Sequence, residues 1–496
     1  MNQPVLFRPA TGWVGDVIPV ERDGEFWLYF LHEQRDQPDL GTGWRLVRTR
    51  DFVQFEDDGV ALPAGGPDED DFNAYTGSVV VADDGTAHLF YTGQNPCRLG
   101  PDGAPVQLVK RATSSDRMRT WTKDPELTLG PPPGYESADW RDPFVFRPSP
   151  SEPWRMLVTA RHDNGPERRR GVIAQYVSDN LGSWRPAEPF WDPRRYVAHE
   201  CPDVFQWGNW WYLVYSEFSE RFATHYRVAR TPDGPWRTPE LDTVDGRAFY
   251  AAKTVARDGR RFFVGWIATK AGESDDGSWE WAGDLSVLEA HQRPDGSLDF
   301  SIPAEVEASF PQVEELFFAA GPDQAGDAAD TAKIRLATTD GYLCALTQTD
   351  PGAQFLARIS LEIDDDTTEA GILIRSSPDG DASYCLRLEP RRQRMVLDRW
   401  PRRSTGAMQW QISGDVPHAV ELERPCVLDP GVHQIDLLVE GSALVAVLDR
   451  RVVLSARMYD RSSGQLGVFV GEGSATFFNL TVATRTREST ETEGAT

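Results

Sequence analysis

Apolar and polar positions alternate with a period of two in short runs along the N-terminal part of the chain, and the runs recur in a fixed order. The unit is a β-branched or aromatic run, a turn centred on Asp-Gly or Gly, an aromatic strand, and a strand ending near Trp or Phe. The first copy runs from Asp16-Val17-Ile18-Pro19-Val20 through the Asp23-Gly24 turn and Phe26-Trp27-Leu28-Tyr29-Phe30 to Trp44-Arg45-Leu46-Val47. The second has Gly77-Ser78-Val79-Val80-Val81, Asp84-Gly85 and His88-Leu89-Phe90-Tyr91. The third starts at Asp142-Pro143-Phe144-Val145-Phe146, the fourth at Asp203-Val204-Phe205 and the fifth at Tyr250. Copies of roughly 50 to 65 residues with about four short strands each predict the blades of a β-propeller, not a helical solenoid. Helical periodicity is almost absent.

Farther along, the spacing changes. Strands such as Gln354–Ile359, Gly371–Arg375, Gln434–Val439, Ala443–Leu448 and Gly467–Val470 alternate with polar outward positions, which predicts a β-sandwich. The expected fold is therefore all-β, a five-bladed propeller over residues 1–315 and a C-terminal β-sandwich over 331–485. Residues 316–330, including Ala319-Ala320-Gly321-Pro322, read as a linker, and 486–496 as a disordered tail rich in Thr and Glu.

Composition narrows the partners. The formal charge of -26 is spread along the chain, which argues against nucleic acid or an anionic membrane and for a neutral ligand. Seventeen tryptophans supply indole faces suited to the apolar side of sugar rings, although core packing accounts for most of them. The five cysteines are far apart, without a C-x-x-C pair or a His at ligand spacing, and no D-x-D-x-D loop occurs, so neither a disulfide framework nor a metal or other cofactor is expected. The N-terminal residues show no basic n-region or apolar h-region, and no apolar run reaches membrane-spanning length. A cytoplasmic location without a signal peptide or membrane partner is the expectation; oligomeric state is not readable.

In a propeller, equivalent ends of the inner strands converge on one funnel. Asp16 stands at the start of the first strand of blade one, Asp142 at the same place in blade three, and Glu200 three residues before the corresponding Asp203. Singly, each reads as a turn or capping carboxylate; together they match what glycosidic-bond cleavage with retention requires. That chemistry uses one carboxylate as nucleophile and a second carboxyl roughly 5 Å away that protonates the leaving oxygen and later activates water. A third acid would raise the acid/base pKa and stabilise developing positive charge. Arg141 offers a fork of donors to a substrate hydroxyl or a neighbouring carboxylate.

These residues resemble the glycoside hydrolase family 32 pattern, the invertase, inulinase and levanase group, over nearly the whole chain. Trp140-Arg141-Asp142-Pro143 resembles its R-D-P motif and His199-Glu200-Cys201-Pro202-Asp203 its E-C-P-D motif. Phe249-Tyr250-Ala251 with Gly265-Trp266-Ile267, and Thr76-Gly77-Ser78 with Leu89-Phe90-Tyr91-Thr92-Gly93, are similar to its F-Y-A, G-W-M, S-G-S and F-Y-T-G segments. The resemblance implies Asp16 as nucleophile, Glu200 as acid/base and Asp142 as transition-state stabiliser. The nucleophile box departs from W-M-N-D-P-N-G: Trp13-Val14-Gly15-Asp16-Val17-Ile18-Pro19 keeps Trp13 and Asp16 and loses both asparagines. Gly15 and Ile18 in their places are expected to remove hydrogen bonds and open room beside Asp16. Trp281-Ala282-Gly283 matches the family's W-A-G region without a role being assigned.

Substrate-binding candidates are Trp13, Arg141, Tyr75, Ser78, Trp140, Tyr250 and Trp279, with simple packing as the alternative for the aromatic ones. His199 reads as a residue supporting the site, not a proton carrier. The leading function is a retaining glycoside hydrolase releasing fructosyl or related furanosyl units from short oligosaccharides. Alternatives are a fructosyltransferase of the difructose-anhydride type, arabinanase-like chemistry, and a propeller that binds sugar without cutting it.

Overall fold

The computed structural model describes residues 3–319, 332–400 and 422–486. Most of the expected linker and nearly all of the expected tail lie outside these residues. The chain forms two compact units: Leu6–Ala268 with Trp281–Leu298, and Asp299 onward with Thr269–Glu280 and the first residues.

The first unit is the five-bladed propeller. Its blades begin with Trp13–Arg22, Asn73–Val81, Tyr135–Phe146, Glu200–Trp207 and Phe249–Arg257, each antiparallel to the strand that follows it. Two-residue turns with both central residues left-handed set the register. Asp23-Gly24 has φ of 54° and 77°, and Asp258-Gly259 of 54° and 78°, the geometry whose twist matches paired strands. The fourth blade has three full strands, Glu200–Trp207, Trp210–Glu217 and Ala223–Ala229, and its outer edge is made only by isolated bridges such as Val228 to Arg237. Each leading strand packs against that of the next blade, and the fifth against the first, so the ring closes.

The core lies in layers between successive blades. Trp27, Tyr29, Trp44, Leu89 and Trp121 fill the layer between blades one and two. Phe90, Trp140 and Val158 fill the next, and Leu157, Trp211 and Tyr215 the one after. Large aromatic side chains suit wedge-shaped gaps because each buries a large apolar area with few rotatable bonds.

The second unit is the β-sandwich. One long strand, Gln465–Thr484, serves both halves: Gly467–Gly471 pairs with Glu369–Leu373, and Ala475–Ala483 with Leu356–Ile363. Glu369–Ser376 continues to Ser383–Glu389, Arg394–Trp400 and Leu422–Pro425, whereas Gln354–Ile363 continues to Val432–Glu440, Ala443–Leu448 and Val452–Arg457. The only α-helix among the described residues is Ala304–Ala308. No described helix is long and apolar enough to cross a membrane.

Candidate active site

All five leading strands of the propeller carry a β-bulge at the same level. Register slips by one residue between Val14 and Val17, Tyr75 and Gly77, Arg141 and Phe144, Glu200 and Asp203, and Tyr250 and Lys253. A bulge re-aims side chains that strict alternation would turn away. Asp142, Cys201 and Ala251 take up this bend with left-handed φ of 56°, 50° and 52°. Such a conformation costs a non-glycine residue roughly 1–2 kcal/mol, offset here by the bonds that it makes possible. Asp16 and Asp142 thus sit inside their strands, at the bulges, and not at the strand starts that alternation suggested.

The bulges gather the three acids around one cavity of about 270 Å³, lined by Asp16, Leu31, Glu33, Tyr75, Thr76, Gln107, Arg141, Asp142, Glu200 and Trp281. Asp16 is buried. Thr76 Oγ1 donates to its Oδ2 at 2.5 Å, Trp266 Nε1 to its Oδ1 at 3.0 Å, and the Cys201 thiol approaches Oδ2 at 3.5 Å. Asp142 Oδ2 accepts from the Cys201 amide at 3.0 Å and from Thr159 Oγ1 at 3.2 Å. Glu200 Oε1 accepts from Arg141 Nε at 3.2 Å and Nη2 at 3.1 Å, and Oε2 from the Tyr250 hydroxyl at 2.6 Å. Arg141 is oriented in turn by Asp139 at 2.6 Å and Gln107 at 3.2 Å.

Burial and neighbouring acids raise both Glu200 and Asp16 above the ordinary carboxylate range. Burial pushes Glu200 up; Arg141 and Tyr250 pull it down, Asp142 and Asp16 push it further up, and the balance rests at about 7. Burial and Asp142 also raise Asp16, while Thr76, Trp266 and Cys201 favour its ionised form. Burial also holds the Cys201 thiol well above its ordinary value, so it stays a donor. His199 is packed among Trp191, Tyr196 and Tyr215, and burial pushes it down to about 3, so it stays a neutral imidazole.

The other expected contacts divide. Tyr75 lines the cavity, and Tyr250 reaches it through Glu200. Ser78 does not line it: its hydroxyl donates to Pro143 O at 2.9 Å and accepts from the Val145 amide at 3.0 Å, tying blade two to blade three. Trp140 is fully buried between Tyr135 and Tyr176, because the bulge that turns Asp142 inward begins after it. Trp13 lies 4.0 Å beneath the Arg35 guanidinium, and Trp279 packs under Lys270; neither lines the cavity. Thr76, Gln107, Trp266 and Trp281 received no role from the sequence. The Thr-Gly-Ser and Gly-Trp segments already held Thr76 and Trp266, and Gln107 and Trp281 join the site through pairings distant in sequence. The room expected beside Asp16 is not open. A Cβ at Gly15 would collide with Trp281 Cη2 and stand 2.9 Å from Cζ2, so the indole occupies that space. Ile18 is buried in the layer between blades one and two, away from the cavity.

Among the described residues, no group of three or more His, Cys, Asp or Glu is arranged to hold a metal ion. A wider concavity of about 720 Å³ lies in the second unit, lined by Thr338, Asp366, Arg391 and Glu472 among others. The three acids that converge from separate blades line the smaller cavity.

Three acids at the bulges of a five-bladed propeller, Asp16 and Asp142 buried and Glu200 half-buried, line one cavity. Residues 7–292 match the family model of the glycosyl hydrolases family 32 N-terminal domain, and the chain belongs to that family. It is similar to a sucrose-6-phosphate hydrolase of Zymomonas mobilis, 27% identical over 302 residues that cover 56% of this chain and 57% of that protein. It is also similar to a raffinose invertase of Escherichia coli, 27% identical over 327 residues covering 60% of this chain and 64% of that one. The match thus spans less than two thirds of these relatives. Among solved structures, the Aspergillus kawachii β-fructofuranosidase superposes with a TM-score of 0.72 at 17% identity, covering 96% of this chain and 93% of that one. The Lactobacillus gasseri sucrose-6-phosphate hydrolase gives 0.69 at 18% identity, covering 97% and 92%.

Proposed function

We propose that this protein is a retaining glycoside hydrolase that releases terminal fructosyl, or closely related furanosyl, units from short neutral oligosaccharides. The observation that carries this reading is the meeting in one cavity of Glu200, held by Arg141 and Tyr250 and raised by burial, with Asp16, whose two oxygens face donors. Asp16 attacks the anomeric carbon while Glu200 gives its proton to the departing glycosidic oxygen. Glu200, now a carboxylate, takes a proton from water, which attacks the anomeric carbon and frees Asp16. Asp142, fixed by Cys201 and Thr159, faces the positive charge that develops on the ring.

The size of the cavity favours a single ring entering from a chain end, since it falls just under the roughly 300–1,000 Å³ usual for ligand pockets. Its charge favours a neutral sugar. Asp16, Glu33, Asp142 and Glu200 line it against one guanidinium, Arg141, already engaged by Glu200 and Asp139. The family membership and the names of the relatives, which include an invertase and a levanase, agree with fructosyl release.

The test is product release over time from sucrose, kestose, inulin, levan, difructose anhydrides and arabinofuranosides, with Glu200→Ala as the blank. Free fructose that vanishes in the variant supports the hydrolase. Products without a reducing end make the protein a transferase, and binding without turnover on the whole panel makes it a sugar-binding propeller.

A further inference from the structure

Between Tyr135 and Trp140 the leading strand of blade three leaves its ladder. Tyr135 pairs with His162 and Trp140 with Ala160, so the stretch 136–139 stands opposite the single residue Arg161. Arg161 closes the mouth of this excursion: its Nη1 lies 3.3 Å from Glu136 Oε2 and 3.3 Å from Asp139 Oδ2. The other oxygen of Glu136 accepts from Arg170 Nη1 at 2.7 Å. Asp139 Oδ1 accepts from Arg141 Nη1 at 2.6 Å, while Nε and Nη2 of the same guanidinium donate to Glu200 Oε1 at 3.2 and 3.1 Å. The result is a row of alternating charge, Arg170, Glu136, Arg161, Asp139, Arg141, that ends on Glu200. None of these side chains is more than 20% exposed, so water and salt screen the row only weakly.

We propose that Asp139, held by Arg161, is a positioning residue for the reaction: it fixes the Arg141 guanidinium against Glu200 and draws part of its charge away from that carboxyl. This rests on the reading of Glu200 as the proton donor. The titratable groups that face Glu200 are Arg141, Tyr250, Asp142, Asp16 and Cys201, and Arg141 alone among them is a cation. Arg141 itself faces Glu200, Asp139 and, at 3.9 Å, Asp142. Asp139 faces Arg141 and Arg161, which together outweigh its burial and hold it below the ordinary carboxylate range. It is therefore an anion throughout the range in which Glu200 moves its proton. A guanidinium given wholly to Glu200 would keep that carboxyl ionised and leave no proton for the departing oxygen. One shared with Asp139 still orients Glu200 through its fork of donors and leaves it able to donate.

The experiment follows kcat/KM against pH, on whichever sugar of the panel is cleaved fastest, for the wild type, Asp139→Asn, Arg161→Gln and the Asp139→Asn/Arg161→Gln pair, with melting curves to check folding. Asp139→Asn keeps an acceptor for Arg141 but removes the charge, so the basic limb should move down by about one pH unit. Arg161→Gln leaves Asp139 to Arg141 alone, and the limb should move up by about half a unit. The pair loses one charge of each sign and should lie within about 0.3 unit of the wild type. A role confined to holding the excursion in shape would lower kcat without moving the limb. The inference is overturned if Asp139→Asn leaves the limb in place or raises it, or if the pair lies no closer to the wild type than Asp139→Asn does. Should Asp139→Asn fail to fold, Arg161→Gln decides: an upward shift supports the inference and an unmoved limb overturns it. Should the wild type cleave no furanoside, the functional reading fails instead; the Glu200 carboxyl is then titrated by difference infrared spectroscopy against Glu200→Gln, and the same shifts, or their absence, decide whether Asp139 governs it.

Discussion

The two units treat buried carboxylates in opposite ways. In the propeller, Glu200 and Asp16 are held above the ordinary carboxylate range, because burial and neighbouring acids outweigh the donors around them. In the sandwich, the side chain of Glu389 is less exposed still, 5% against 19% for Glu200, yet it lies below that range. Burial raises it as well, but Arg394 at 2.6 Å and Arg387 at 2.9 Å more than compensate. A carboxylate surrounded by guanidinium groups is a structural tie, whereas one left short of positive charge is poised to move a proton.

Replacing Glu200 with Gln should break this contrast most severely. It removes the proton donor while keeping the acceptors of Arg141 and Tyr250 partly intact, and kcat/KM should fall by roughly 10²–10⁴ with the fold unchanged by circular dichroism. Thr76→Val comes next. It deletes one donor to Asp16, so that carboxyl rises further; the acidic limb of the kcat/KM profile should move to higher pH, with a loss of roughly tenfold at the optimum. Tyr250→Phe removes a group that lowers Glu200, so the basic limb, expected near pH 7 in the wild type, should shift upward with only a few-fold change in rate. Glu389→Gln should leave turnover untouched and lower stability by about 1–3 kcal/mol, read in a denaturant titration.

The same contrast gives the two residues opposite linkage to pH. Glu200 holds its proton in the folded state to about 7, above its ordinary 4.5, so its contribution to stability is complete below 4.5 and disappears as pH rises through 7. Glu389 is depressed, so its contribution is present above its ordinary 4.5 and is lost as pH falls below that value. Melting curves of each Gln variant against the wild type should diverge in these opposite directions.

The sequence made the blades legible because Asp23-Gly24 and Asp258-Gly259 punctuate strands whose alternation is otherwise regular. It made the acids legible because their motifs are compact. The bulges were not legible, since one extra residue in a strand leaves composition untouched and changes only which side chains face inward. Trp140, one residue before Arg141, therefore packs away from the cavity, and Thr76 takes the place beside Asp16 while Ser78 ties two blades together. Gly15 read as a loss because its neighbour is supplied by the last blade, a pairing that no local pattern encodes.

The strand Gln465–Thr484 also imposes an order on biosynthesis. It is the shared partner of Gln312–Glu315, Lys333–Leu346, Gln354–Ile363 and Glu369–Ser376. Segments made early must therefore wait, with their edges unpaired, until residues beyond 465 have left the ribosome. The blades close with far less delay, each from a contiguous stretch, apart from the final handshake of the fifth with the first. A nascent chain halted near residue 460 would carry a nearly complete ring and a row of open strand edges, the species most exposed to aggregation.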